Sequence, residues 1–182
     1  VRNFIYCINT VKKFPNRIPL AFKGAYIDSL SIPKDYLTTW LGITIPVAIF
    51  IFLVIGLLFL VIKWRKLKNA SYLLLILFAS VFPVFYAIHN SFALYNGWRH
   101  LLFVYPALMA FAAWWFEYIR FRNRWLNFAL PLCVLLCFIH PIFWMVKNHP
   151  FEYTYFNEVS GGFEENYYQN EIDVWELSTK KA

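Results

Sequence analysis

Tyr95-Asn96-Gly97-Trp98-Arg99-His100 runs directly into Leu101-Leu102-Phe103-Val104-Tyr105-Pro106. A short polar loop with an Arg-His pair thus stands between two long apolar runs. An arginine at the edge of a hydrophobic segment is costly without a partner, and an ionisable group so placed near a bilayer points to a functional site. Outward from this loop, the chain reads as the scaffold that holds it at one face of a membrane.

Composition agrees with that reading. Of 182 residues, 60% are hydrophobic, 22% aromatic and only 15% charged, where a soluble domain carries about 25% charged residues. Mean hydropathy is +0.50, which favours the membrane class. The net charge of +7 falls on short turns between apolar runs rather than on a basic stripe of a soluble face, so nucleic acid is not an expected partner. Cys7, Cys133 and Cys137 are too few and too scattered for a disulfide framework, and the last two read as packing residues of an apolar helix. No residues show metal-ligand spacing. The chain opens on Val1 without a signal-peptide pattern. The expectation is that residue 1 is not the true N-terminus and that the chain is the C-terminal part of a longer protein.

Before the loop, 70–88 is an apolar run holding Pro83, and 39–62 carries no charge. At about 1.5 Å per residue the latter covers roughly 36 Å, enough for a core of about 30 Å. After the loop, 101–117 and 125–146 give a third and a fourth run, the last with Pro131 and a His140-Pro141 step read as a kink with a satisfied imidazole. The expected fold is an all-α membrane protein of about four transmembrane helices, with an extracytoplasmic N-terminal segment and C-terminal tail. The regions are 1–38, an extracytoplasmic or interfacial loop segment that opens with a short amphipathic helix; 39–147, the transmembrane region; and 148–182, the tail. Lys63, Arg65, Lys66 and Lys68 fill one turn and Arg120, Arg122 and Arg124 another, whereas 89–99 holds only Arg99. The positive-inside bias places both basic turns in the cytoplasm. Residues 1–38, the 89–100 loop and the tail then share the extracytoplasmic face of a multi-pass protein.

Arg99 offers a planar fork of donors that matches a phosphate or carboxylate. At the mouth of an apolar bundle it can hold a lipid-carrier phosphate, with His100 as a second donor or proton-transfer group and Asn96-Gly97 turning backbone N–H groups toward an anion. The plain alternative is an interfacial arginine snorkelling to headgroups, with His100 capping a helix. In the tail, Glu171 and Asp173 near Trp175 can take sugar hydroxyls and stack a sugar ring, or belong to a solvated acidic tail. Tyr153, Tyr155 and Phe156 form either an interfacial aromatic belt or a wall of an acceptor groove.

Several stretches resemble bacterial membrane glycosyltransferases of the GT-C fold, relatives of the dolichyl-phosphate-mannose protein mannosyltransferases. Phe22-Lys23-Gly24-Ala25-Tyr26-Ile27, Ile32-Pro33-Lys34-Asp35-Tyr36-Leu37 and Trp40-Leu41-Gly42-Ile43-Thr44-Ile45-Pro46 are similar to a loop that leads into a helix in that family. Tyr95-Asn96-Gly97-Trp98-Arg99-His100 looks like its Tyr-Asp/Asn-Gly-x-Arg-His loop. His149-Pro150-Phe151-Glu152-Tyr153-Thr154-Tyr155-Phe156-Asn157-Glu158, with Gly161-Gly162, is similar to the segment after its last helix. Glu171-Ile172-Asp173-Val174-Trp175-Glu176-Leu177-Ser178 resembles its terminal Asp-Tyr-Trp-Gly-x-Ser element, with Val174 and Glu176 in place of Tyr and Gly.

The resemblance implies transfer of a sugar from a polyprenyl-phosphate donor to a protein, lipid or glycan acceptor outside the cytoplasm, at a bacterial inner membrane. The transfer it implies is either dependent on a divalent metal ion or independent of one. It implies donor-phosphate binding by Arg99, His100 and Asn96, sugar or acceptor contacts by Asp173, Trp175 and Tyr155, and a catalytic acidic residue in a first extracytoplasmic loop upstream of residue 1. The competing reading is a non-enzymatic membrane protein, a transporter subunit or assembly partner. Midplane ionisable groups would favour it; here they gather at one face.

Overall fold

A computed structural model describes residues 17–67, 70–118 and 124–172. The amphipathic helix expected near the N-terminus, the basic residues Lys68, Arg120 and Arg122, and Asp173 and Trp175 lie outside the described residues. The described chain is mostly helical.

It is not all-α. Strands β1 (Pro19–Phe22) and β2 (Ala25–Asp28) pair antiparallel, with Pro19 opposite Asp28 and Phe22 opposite Ala25. The two turn residues, Lys23 and Gly24, have φ of 50° and 74°. Positive φ at both central positions matches the twist of the strands they join. Leu20 and Phe22 alternate inward and are buried. Lys23 Nζ bonds Asp35 Oδ2 at 2.5 Å, which ties the turn to the head of helix α1 (Tyr36–Thr44) and lowers the Asp35 pKa.

The uncharged run 39–62 does not form one helix. Ile45 is extended (φ −80°, ψ 131°) and ends α1, because the ring of Pro46 disfavours helical angles in the residue before it. Pro46 then opens α2 (Val47–Lys63), at the one end of a helix where its missing N–H costs nothing. A 3-10 turn (Trp64–Lys66) completes α2, and α3 (Ala70–His89) runs through Pro83 without a break. Val47–Lys66 and Ala70–His89 are each 20 residues long with mean hydropathy of 2.8 and 2.2. Both are long and apolar enough to cross a membrane, and both leave large apolar side chains exposed, among them Leu58, Val61, Leu75 and Phe85.

Helix α4 (Val104–Trp114) packs against both α2 and α3. Its α-helical part covers only about 17 Å, and a 3-10 turn extends it to Tyr118, so the third expected span is not a full-length helix. Gly56 gives Trp115 room, for an added Cβ would lie 3.0 Å from the indole. Trp115 Nε1–H donates to Phe52 O at 3.0 Å. Helices α5 (Arg124–Cys137) and α6 (Ile139–Lys147) follow. The axis bends by 43° between Asn127–Cys137 and Ile139–Lys147, since Pro141 has no N–H for the carbonyl of Cys137. Two helices can therefore span, or three when the bent pair is taken as one. Cys133 and Cys137 are exposed on α5 rather than packed in the core.

The tail forms two 3-10 turns (Glu152–Thr154 and Glu158–Ser160) and the short helix α7 (Gly162–Tyr167). It docks on the hairpin: Gly24 N–H donates to Gln169 O at 2.8 Å and Glu171 N–H to Ala21 O at 3.0 Å. The largest core cluster gathers Leu20 and Phe22 of the hairpin, Tyr36 and Trp40 of α1, Val104 of α4 and Phe156 of the tail. The N-terminal segment, the central loop and the tail thus meet at one end of the bundle.

Candidate functional site

The site is built on α1. Pro46 deprives Gly42 O of the N–H that a continuing helix would supply. Asn157 of the tail takes its place: Nδ2 donates to Gly42 O at 2.6 Å and to Ile45 O at 2.9 Å, and its backbone N–H donates to Ile43 O at 2.8 Å. Asn157 is 1% exposed, so one buried amide fastens the tail to the break in the chain.

The central loop is clamped to the same helix. Asn96 and Gly97 both have positive φ, 56° and 68°. Gly97 lies flat on the Trp40 indole, where an added Cβ would come within 3.3 Å, and its N–H donates to Tyr36 Oη at 3.1 Å. Burial pushes the Tyr36 hydroxyl pKa up to about 12. Trp98 Nε1–H donates to Thr44 Oγ1 at 2.8 Å, and Thr44 Oγ1–H donates to Trp40 O at 2.6 Å. These contacts deliver Arg99 at the start of a 3-10 turn (Arg99–Leu101). Its guanidinium carbon lies over the Tyr95 ring, 4.5 Å from the centroid, a cation–π contact.

Between loop, α1, α6 and tail lies a cavity of about 330 Å³. Asn96, Gly97 and Arg99 contribute from the loop, Glu152, Tyr153 and Tyr155 from the tail, and Pro46, Leu102, Pro141 and Met145 supply apolar wall. Three of the residues singled out from sequence, Asn96, Arg99 and Tyr155, therefore line one space. His100 does not line it. Successive residues of a 3-10 turn point about 120° apart, and the His100 ring packs edge-on against Tyr95 with centroids 4.7 Å apart. Desolvation, then the Arg99 charge, hold its pKa below the usual imidazole value.

The Tyr155 hydroxyl is buried and has no hydrogen-bond partner among the described residues. Burial, reinforced by Glu158 and Tyr105, raises its pKa far above that of a free phenol. A buried polar atom without a partner is rare in folded proteins and calls for an explanation. The ring of His140 lies beside Tyr155 at 6.2 Å and its Nδ1 pairs with Glu158, so that imidazole is satisfied at the bend, as the sequence suggested. His149-Pro150 lies in the turn after α6.

Two carboxylates add to the site. Glu152 lines the cavity; its own backbone N–H, then His149, lower its pKa, so it stays ionised. Glu171 accepts the Asn96 N–H, and desolvation raises its pKa against the pull of that bond and of the Arg99 charge. Its Oε2 is buried without a partner among the described residues. Glu171 stood out in the sequence by its place beside Asp173; nothing distinguished Glu152 from the other acids of the tail. Among the described residues, no three or more His, Cys, Asp or Glu side chains gather as a metal site would need.

No family model, curated protein or solved structure matches the chain. The family resemblance rests on the motifs alone.

Proposed function

We propose that this chain is the donor-binding C-terminal membrane region of a GT-C-type glycosyltransferase, which moves a sugar from a polyprenyl-phosphate donor to an extracytoplasmic acceptor at a bacterial inner membrane. The observation that carries the reading is the pairing, in one cavity, of Arg99 with an apolar wall made by Pro46, Leu102 and Met145; the Asn96 and Gly97 N–H groups, which the sequence offered to an anion, are instead given to Glu171 and to Tyr36 Oη. That combination suits a phosphate esterified to an isoprenoid chain. In this reading all four apolar runs cross the bilayer, the broken ones included, and the two basic turns face the cytoplasm.

In transfer, the bond from the sugar anomeric carbon to the phosphate oxygen breaks as the bond to the acceptor oxygen forms. Polyprenyl phosphate leaves with added negative charge, and Arg99 stabilises that charge as it develops. The family resemblance gives the acceptor proton to a carboxylate of the first extracytoplasmic loop. In this reading Glu152 and Tyr155 meet sugar hydroxyls, and a hydroxyl donated to Tyr155 would satisfy its oxygen, which has no partner among the described residues. The test is Arg99→Ala in the full-length enzyme. Donor use falls by about 2–5 kcal/mol, the scale for removing one partner of a desolvated charge pair. Unchanged donor kinetics would refute the assignment.

A further inference from the structure

A second cavity, of about 320 Å³, lies beside the first and shares Tyr153 with it. It forms where the tail folds back on α6. Trp144 of α6 and Phe163 and Tyr167 of α7 make a continuous aromatic wall, with ring centroids 5.6 Å apart for Trp144–Phe163 and 5.5 Å for Phe163–Tyr167. Asn148 and Thr154 add polar groups to the lining. The Trp144 indole N–H is buried and has no acceptor among the described residues. The volume lies in the range of small-molecule sites, about 300–1,000 Å³.

The lining defines the ligand by what it contains and what it lacks. None of its eight residues is charged, in contrast to the neighbouring cavity with Arg99 and Glu152, so neither a phosphate nor a cation is matched. Aromatic faces beside an amide, a hydroxyl and an unsatisfied N–H fit a molecule with apolar C–H faces and a rim of hydroxyls. The Asn148 amide already donates to Trp144 O at 2.9 Å and the Thr154 hydroxyl to Phe151 O at 2.7 Å, so the group a bare isoprenoid chain would leave without a partner is the indole N–H. A neutral sugar ring meets both demands: its C–H face stacks on an aromatic ring and its hydroxyls bond the polar groups.

We propose that this second cavity is the acceptor subsite and holds a neutral saccharide unit of a glycan acceptor, one side chain away from the donor phosphate. The assignment as acceptor rests on reading the Arg99 cavity as the donor site. Tyr153, which lines both, is the wall across which the two substrates face each other.

The test uses full-length protein in lipid nanodiscs, with maltotriose, mannotriose and triacetylchitotriose as saccharide probes and undecaprenyl phosphate as donor-site probe. Binding is read by saturation-transfer NMR for the sugars and by native mass spectrometry for the lipid. At least one trisaccharide binds, and Phe163→Ala weakens it by about tenfold, the scale of one lost aromatic contact. Trp144→Phe, which keeps the ring and removes only the N–H, also weakens it. Undecaprenyl phosphate binds both variants as it binds the wild type, which shows that they are folded. Arg99→Ala loses the lipid and keeps the sugar. If no trisaccharide binds, or binding ignores both Trp144→Phe and Phe163→Ala, the proposal is overturned while the donor reading stands. Displacement of the sugar by farnesol would assign the cavity to an isoprenoid and overturn it too. Sugar binding without any lipid-phosphate binding would overturn the donor reading, and the acceptor assignment with it.

Discussion

Replacing Asn157 tests how the site is held together. Its side chain donates to Gly42 O at 2.6 Å and Ile45 O at 2.9 Å and accepts the Ser160 N–H at 3.1 Å. Asn157→Ala removes all three bonds. Gly42 is exposed, so water can replace the amide there and the loss is about 1 kcal/mol. The bond to Ile45 O is buried, and stranding that carbonyl costs about 1–3 kcal/mol. Losing the oxygen that caps the Glu158–Ser160 turn adds about 0.5–1 kcal/mol. The sum is a loss of about 2.5–5 kcal/mol, read as the shift in unfolding free energy in mixed micelles. Protease cutting of the tail should accelerate in parallel, because the tail's tie to α1 is what fails. Asn157→Asp separates donor from acceptor roles. It keeps the capping oxygen but turns a carboxylate onto two carbonyls, so it should be worse than Ala. If Asp proves milder than Ala, or if Ala costs under about 0.5 kcal/mol, the amide does not hold the tail on the break at Pro46.

Three further outcomes follow from the site. Tyr155→Phe should leave the unliganded protein as stable as wild type or slightly more so, because the hydroxyl has no partner to lose among the described residues. The same change should weaken donor-sugar binding, and a large destabilisation would show that the hydroxyl serves the fold instead. The folded-state pKa of Glu171 is raised from 4.5, so its contribution to stability is present below that value and is lost as pH rises through the folded pKa. Glu171→Gln should therefore gain stability relative to wild type at neutral pH and match it in acid, as measured by denaturation across pH; a constant difference at every pH would contradict this. In a background without native cysteines, Asn90→Cys should react with a membrane-impermeant maleimide from outside intact cells and Arg65→Cys only after permeabilisation. The reverse pattern would invert the topology.

The long helices were legible because crossing a bilayer demands only length without charge, and 39–62 and 70–88 supply it. The break at Pro46 sits inside a run that satisfies that demand by composition. What ends the helix there is the Pro46 ring acting on Ile45, and the N–H that proline lacks is compensated by an amide more than a hundred residues away. The hairpin escaped the same reading because its strands are four residues long, and an inward alternation of Leu20 and Phe22 alone is too short to register as a period. In the site, Arg99 and Asn96 were conspicuous as polar residues against apolar runs. The direction of His100 was not, since it follows from the 3-10 geometry of the turn. Glu152 was one acid among seven in the tail, and the second cavity exists only because α7 folds back on α6.

The measurement that bears most directly on the central claim is photo-crosslinking of a benzophenone-bearing polyprenyl phosphate to the full-length protein, with the labelled peptides mapped by mass spectrometry. The donor reading predicts label on Leu102 or Tyr105 and on Pro141 or Met145, and loss of that label in Arg99→Ala. Label confined to the outward face of α3, or label at the cavity that persists without Arg99, would contradict it.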